Sequence, residues 1–288
     1  MQLILISIKN RFIYCARAVR KCLGVLIGFR IIIRENAPVG GHNSIMEMYM
    51  PKFFIDDSQI KNNAAFITGG DVVHITRVLR MRPGGLLTVC DGVGSDYDAR
   101  ISEVTQTEVA VEILRKYPCE AEPKTEVVLF QALPKQGKME YIIQKNTELG
   151  VSEIVPVYSK RCVVKPSDKT ERWQKIALEA AKQCGRGMVP KISGTISFED
   201  AMNRLAALEA GMVFYEEEHD TRLKELIEGK KIKQAGLFIG PEGGLAPEEA
   251  ELARELKIPT VTLGNRILRT ETAGAAVLPI IMYSQNDI

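Results

Sequence analysis

Residues 238–276 read FIGPEGGLAPEEAELARELKIPTVTLGNRILRTETAGAA, and this stretch decides the fold. An apolar run at 235–239 predicts a buried strand that ends at the first break, Gly-Pro-Glu-Gly-Gly at 240–244. Pro247 is placed to begin a helix, and Glu248 and Glu249 fall in its first turn, where the helix dipole favours acidic side chains.

A second strand and a second break follow in the same stretch. Residues 260–263 predict a short strand, Gly264 breaks it, and a last helix is expected from about Glu271. Glycine-containing breaks at the carboxyl ends of strands are where an α/β sheet holds a small ligand. The stretch therefore predicts both a sheet and a ligand site.

Charge is distributed unevenly along the 288 residues. Residues 1–49 have a net charge of +5, from seven basic and two acidic side chains, and residues 50–288 have a net charge of −3. Contact with nucleic acid must therefore depend on local basic patches, because the bulk charge does not favour it. The six cysteines show no metal-binding spacing, which predicts reduced thiols in a cytoplasmic protein.

The first 49 residues differ in composition from the rest. Their two apolar runs, at 3–8 and 22–29, are shorter than the roughly 20 residues that span a bilayer. We expect an upstream extension without a functional role. A basic segment lying on a membrane surface is the alternative.

Residues 50–118 predict a small β-rich domain, and the polar segment 119–124 predicts a linker. A helix is expected at about 71–79, with Asp71 as its N-cap and Val72, Ile75 and Val78 on its apolar side. Its other side, extended past the helix, carries a set of basic residues that we call the basic stripe: His74, Arg77, Arg80 and Arg82. A solvated helix face and a phosphate-contacting face are both open.

From residue 125 the chain alternates strands with helices, which predicts a parallel sheet. Strands are expected at 127–131, 154–158, 191–195, 211–215, 235–239 and 260–263, and the clearest helices at 138–149 and 169–184. The fold class is thus α/β, with a smaller β domain before the parallel sheet.

Several familiar sites are absent from the sequence. There is no GxxxxGK[ST], no GxGxxG after a first strand and no GxSxG, and the three histidines are scattered. What remains is a site built from main chain at residues 240–244 and 263–268, which suits a flat heterocycle held by backbone groups between aliphatic walls. Two ordinary loops are the alternative.

The combination of segments is more specific than any one of them. The chain from about 50 to 283 resembles the RsmE-type RNA methyltransferases of the SPOUT superfamily in five segments, at 74–80, 144–151, 171–190, 239–244 and 263–273. The resemblance implies a PUA-like β-barrel that helps to hold RNA and a parallel-sheet domain that ends in a trefoil knot. It also implies S-adenosylmethionine as cofactor and a homodimer with no membrane association. The product would be N3-methyluridine in 16S ribosomal RNA, as part of the small ribosomal subunit.

The resemblance also suggests site residues. Those expected at the cofactor are Tyr215, Ile239, Gly240, Pro241, Glu242, Gly243, Gly244, Leu263, Gly264, Ile267, Leu268, Thr272 and Ala273. Arg269, Glu271 and Arg161 are the catalytic candidates, with Arg269 favoured to stabilise charge on the reacting uracil; a structural ion pair is the alternative for each. RNA contact is expected from the basic stripe and from Arg186.

Two other functions are weighed beside uridine-N3 methylation. One is a related enzyme that methylates another target, such as a ribose 2′-oxygen. The other is an RNA-binding module without catalysis, which the intact glycines and the segment at 263–273 disfavour.

Overall fold

The computed structural model describes residues 50–61, 63–135 and 137–288, so the predicted extension at 1–49 lies outside the described residues. Residues 52–288 form one compact unit. None of the helices in the described part of the chain is long and apolar enough to cross a membrane.

The first part of this unit is a six-stranded sheet. Its spatial order is β1-β4-β5-β6-β3-β2, and every pairing is antiparallel except β1 with β4. The strands are β1 (Lys52–Phe54), β2 (Ile60–Lys61), β3 (Ala64–Thr68), β4 (Leu86–Cys90), β5 (Ser95–Val104) and β6 (Glu108–Pro118). Alternate residues point inward and form one apolar core around Ile67, Leu87 and Ile101.

The predicted helix at 71–79 differs in detail from the observed one. It consists of α1 (Gly70–Val73) and a π-helical turn (His74–Val78). Asp71 does not cap it, because Gly69 takes the N-cap position and the Asp71 carboxylate pairs with Lys182 at 3.2 Å. Val78 is 61% exposed, because the wider π turn rotates it away from the apolar side where a regular helix would put it.

The second part is a seven-stranded sheet in which every pairing is parallel. Its order is β10-β8-β7-β12-β11-β13, with β9 also on β8. The strands are β7 (Glu126–Ala132), β8 (Glu153–Tyr158), β9 (Lys191–Ile192), β10 (Ile196–Ser197), β11 (Ala210–Phe214), β12 (Gln234–Ile239) and β13 (Thr260–Val261). The predicted α/β class, with a smaller β domain first, is confirmed.

Helices cover both faces of this sheet. They are α2 (Lys138–Glu148), α3 (Thr170–Cys184), α4 (Phe198–Ala206), α5 (Leu223–Ile227), α6 (Pro247–Glu255) and α7 (Thr270–Ser284). Along β7, Leu129 belongs to the core under α2, α3 and α7, and Phe130 belongs to the core under α4 and α6. This alternation is what a strand buried on both faces requires.

The predicted strand at 191–195 is wrong in its length. Only Lys191–Ile192 pairs with β8, and the chain pairs with β8 again at β10, Ile196–Ser197. β10 leads directly into α4, whose N-cap Ser197 accepts a hydrogen bond from the Asp200 N–H at 3.0 Å. The N-cap role of Ser197 explains why β10 ends after two residues.

The β domain packs against the end of α3 and the loop after it. The Lys52 ammonium lies 2.7 Å from Asp96 and donates to the Gly185 carbonyl at 3.1 Å. The Cys90 thiol donates to the Gly187 carbonyl at 3.0 Å, and burial raises the pKa of that thiol to about 12. Cys90, Cys119, Cys162 and Cys184 are free thiols.

The predicted linker at 119–124 is packed into the fold. Its Glu122 carboxylate accepts hydrogen bonds from the N–H groups of Gly187 and Met188, at 2.7 and 2.8 Å. The segment therefore connects β6 to β7 while it also binds the loop after α3. The domain boundaries placed around it stay a prediction.

Candidate functional site

A cavity of about 520 Å³ opens at the carboxyl ends of β11, β12 and β13. This is the edge of a parallel sheet where ligands bind. Three segments supply its walls: residues 214–216, 239–244 and 261–270 without Asn265. Lys138 and Ala273 complete it.

The first loop of the cavity, residues 240–244, is a tight turn closed by the Gly244 N–H, which donates to the Pro241 carbonyl at 3.0 Å. Gly244 has a φ of +68°, a conformation that L side chains rarely adopt. A Cβ there would also overlap the Glu216 carboxylate. The positive φ is what favours glycine here, because the exposed Glu216 side chain could move aside, and the turn brings main-chain groups to the cavity surface.

The second loop, residues 262–269, supplies apolar walls. Leu263 and Leu268 are partly buried against the core, and Ile267 is 86% exposed. Gly264 has a φ of +90°, and its N–H donates to the Thr262 hydroxyl at 3.2 Å. The second loop therefore places three aliphatic side chains at the cavity.

Thr270 ties the first loop to the last helix. Its hydroxyl donates to the Gly240 carbonyl at 2.7 Å and accepts from the Gln131 side-chain amide at 2.9 Å. Thr270 is 6% exposed and Gln131 is fully buried, so neither bond competes with water. Sequence reasoning missed Gln131. Its only signal is a polar residue inside an apolar strand.

Lys138, the first residue of α2, also connects the two loops and was missed by sequence reasoning. Its ammonium lies 3.0 Å from Glu242 and 2.9 Å from Glu271. These two contacts raise the pKa of Lys138, the one with Glu271 more strongly. Burial raises the pKa of both carboxylates, but the contact with Lys138, backbone N–H groups and the attraction of nearby cations together outweigh burial and hold each pKa below its ordinary value.

Three charged side chains at the cavity make no hydrogen bond or ion pair within the described part of the chain: Arg266, Arg269 and Glu216. Arg269 is exposed and occupies the N-cap position of α7. Its guanidinium is therefore available for a ligand, unlike that of Arg161, which donates to the Gly243 carbonyl at 2.9 Å. Arg161 acts on the first loop from outside and does not line the cavity.

Most of the residues predicted at the cofactor line this cavity. These are Tyr215, Ile239, Gly240, Pro241, Glu242, Gly243, Gly244, Leu263, Gly264, Ile267, Leu268 and Ala273. Burial, with a hydrogen bond to Glu217, raises the pKa of Tyr215 to about 12, so its phenol stays protonated.

Two predicted site residues lie outside it. Thr272 is exposed and does not line the cavity, because the first turn of α7 directs it outward. Glu271 does not line it either, because its carboxylate turns to Lys138. The cofactor contact of Thr272 and the catalytic role of Glu271 stay predictions, and the ion pair with Lys138 supports the structural alternative for Glu271.

The predicted RNA contacts separate into two groups. All four members of the basic stripe, His74, Arg77, Arg80 and Arg82, are exposed. Arg186 is 4% exposed: it pairs with Glu122 at 2.8 Å and donates to the carbonyls of Thr147 and Val151 at 3.2 and 2.6 Å. The RNA prediction for Arg186 is therefore wrong, because no face of the guanidinium is open.

No group of histidine, cysteine, aspartate and glutamate side chains within residues 50–61, 63–135 and 137–288 is arranged to hold a metal ion. The cavity offers instead main-chain groups, aliphatic walls and unpaired charges. Such a set fits an organic ligand with a heterocycle at one end and charged groups at the other.

Comparison with known proteins agrees with this description of the site. A family model described as an RNA methyltransferase domain matches residues 121–282, and one described as an RNA methyltransferase PUA domain matches residues 67–114. The chain belongs to the RNA methyltransferase family, and it is an RNA methyltransferase. Its resemblance to the RsmE type is confirmed.

Individual relatives give the same result. Ribosomal RNA small subunit methyltransferase E of Bacillus subtilis (strain 168) is 36% identical over 247 residues, which cover 81% of this chain and 96% of that protein. A crystal structure of the methyltransferase of the same name from Neisseria gonorrhoeae, bound to S-adenosyl methionine, superposes with a TM-score of 0.71 at 29% identity. The superposition covers 82% of this chain and 98% of the Neisseria gonorrhoeae chain.

The buried Arg186–Glu122 pair generates a prediction about stability. We expect Arg186→Met to lower the free energy of unfolding by about 3–5 kcal/mol, because it leaves the Glu122 carboxylate buried without its cation. Urea unfolding of the full chain measures the change.

Arg172→Met is the matched control. Arg172 pairs with Glu140 on the surface and is 66% exposed, so its loss should cost less than about 1 kcal/mol. If both variants lost the same free energy of unfolding, the Arg186–Glu122 pair would contribute no more to stability than a surface ion pair does.

Proposed function

We propose that this chain transfers a methyl group from S-adenosylmethionine to uridine N3 in the 16S RNA of the small ribosomal subunit, in the cytoplasm. The observation that carries the proposal is the cavity built from two glycine-containing loops at the sheet edge. Relatives of this chain are named as ribosomal RNA small subunit methyltransferases, which supports the proposal that the substrate is ribosomal RNA.

The residues present fit the cofactor. A volume of about 520 Å³ lies within the range of roughly 300–1,000 Å³ typical of small-molecule sites. Gly244 and Gly264, both with positive φ, would offer backbone groups to the adenine, and Leu263, Ile267 and Leu268 would supply its apolar walls. We further propose that the two loops form the trefoil knot of the SPOUT fold. Thr270 supports this, because it fastens the start of α7 to Gly240.

The bound cofactor supplies an electrophilic methyl group on its sulfonium. The residues of the chain have to place uridine N3 in line with that methyl group, which is a problem of positioning. The imide proton leaves N3 to a base or to solvent, and negative charge spreads over the uracil. Arg269, which is exposed at the cavity and makes no hydrogen bond or ion pair among the described residues, would donate to that charge.

N3 lies on the pairing edge of uracil, so the target base must be unpaired or turned out of its stack. RNA on either side of it then needs a second contact surface. We propose that the basic stripe provides it by binding phosphates, because all four of its side chains are exposed.

We also propose a homodimer. Helix α7 is apolar nearly throughout, and it leaves Ile280 46% and Tyr283 74% exposed beside the second loop. A second copy of the chain would cover this face and bring it close to the cavity. Light scattering of the full chain measures the mass; a single species of 32.0 kDa would contradict the dimer.

The function as a whole is tested with purified chain, S-adenosylmethionine, and small ribosomal subunits from a strain that lacks the gene. We expect saturable cofactor binding in calorimetry and N3-methyluridine by mass spectrometry of the RNA. Methylation of a ribose 2′-oxygen instead would replace the uridine-N3 proposal, and absence of cofactor binding would leave only an RNA-binding module.

Arg269→Ala tests the role of the guanidinium in the same assay. We expect kcat to fall by about 100-fold or more, as when one donor to a developing charge is removed, while the affinity for S-adenosylmethionine changes little. Arg172→Ala, on the surface of α3 and paired with Glu140, is the control and should retain full activity. Full methylation by Arg269→Ala would refute the role.

The basic stripe is tested by its salt dependence. Replacing Arg77, Arg80 and Arg82 together by alanine should weaken RNA binding and flatten the plot of log affinity against log salt, because fewer counterions are released. Arg100→Ala, an exposed arginine of β5 paired with Glu112, is the control. An unchanged slope in the triple variant would show that the stripe is a solvated face.

A further inference from the structure

The contacts of Lys138 point to a role for a residue outside both loops. We infer that Lys138 is a positioning residue, which holds the two loops of the cavity in the one geometry that binds the cofactor. The inference rests on the proposed function, since it concerns the same cavity.

One ammonium group joins three parts of the chain here. Lys138 begins α2, Glu242 is the middle residue of the first loop, and Glu271 lies in the first turn of α7, directly after the second loop. The three side chains are 27%, 22% and 18% exposed, so water screens their contacts only in part.

Within the described residues, Lys138 is the only cation that forms an ion pair with either carboxylate. Glu242 also accepts the Lys135 N–H, at 3.1 Å, which again belongs to the segment that leads into α2, and Arg269 adds a weaker Coulombic attraction on Glu271. Glu242 and Glu271 share one ammonium, so removing it leaves two carboxylates that repel each other across the cavity edge. Each is attached directly to lining residues: Glu242 to Pro241 and Gly243, and Glu271 to Thr270.

The two ion pairs of Lys138 therefore fix the geometry of the loops more than they add to the free energy of unfolding. A shift of about 1 Å at either loop would displace the main-chain groups offered to the heterocycle, and displacements of that size can cost about 100-fold in rate. It would also move Arg269, which is two residues from Glu271.

Lys138 itself lines the cavity, so a direct contact with the carboxylate of the cofactor is the competing role. The two roles differ in what they require of the ligand. A direct contact needs the carboxylate, whereas positioning of the loops affects any ligand that carries the adenosine. 5′-Methylthioadenosine lacks the carboxylate and separates them.

The experiment measures binding of S-adenosylmethionine and of 5′-methylthioadenosine to the full chain by calorimetry. We expect Lys138→Met to weaken both ligands by about tenfold or more, as displaced loops would. Lys138→Arg, which keeps the charge, should recover most of the affinity. Lys145→Met is the matched control, because Lys145 pairs with Glu148 at 2.9 Å on the same helix and is not part of the site.

Each outcome decides between the possibilities. Absence of cofactor binding by the unmodified chain refutes the proposed function. If the unmodified chain binds and Lys138→Met equals Lys145→Met, only the inference fails. Weaker binding of S-adenosylmethionine alone would overturn positioning in favour of direct contact.

A second measurement covers the case in which Lys138→Met does not fold. Glu242→Gln and Glu271→Gln each remove one of the two ion pairs and leave the ammonium in place. Each should weaken both ligands, and unchanged affinity in both variants would overturn the inference.

Discussion

The parallel pairing of β12 between β7 and β11 is the constraint on which the remaining structure depends. Parallel strands end at the same edge of a sheet, so the segments that follow β11, β12 and β13 are forced together there. β12 is buried from Ala235 to Ile239, and it pairs with a strand on each side. The cavity is thus a consequence of topology, and the loops only give it its shape.

Side-chain contacts then convert this edge into a defined site. Thr270 fastens the last helix to Gly240, Arg161 holds the Gly243 carbonyl, and Lys138 joins both loops. All three donate to groups of residues 240–244 or of the segment around 270. Three separate side chains therefore fix the first loop. A site that binds its ligand through main-chain groups needs such support, because those groups must keep one orientation.

Much of this could be predicted from the sequence, and the failures have physical causes. The strands of the parallel sheet and the two loops were predictable because apolar runs, glycines and Pro247 act locally. Gln131 and Lys138 were missed because their partners, Thr270 and Glu271, are more than 130 residues away, and no local pattern shows such a contact. Arg186 was misplaced for the same reason, since its partner Glu122 lies in a segment that looked like a linker.

The joint between the β domain and the parallel-sheet domain has a consequence for what substrate the chain accepts. Lys52, Asp71 and Cys90 each bind α3 or the loop after it, so the stripe and the cavity cannot change their separation freely. When the distance between a surface that binds the RNA backbone and the reacting centre is fixed, only substrates that match this distance can occupy both. Only an RNA whose folded shape presents a phosphate and an unstacked base at that spacing would satisfy both, so selection would depend on tertiary form more than on the order of bases.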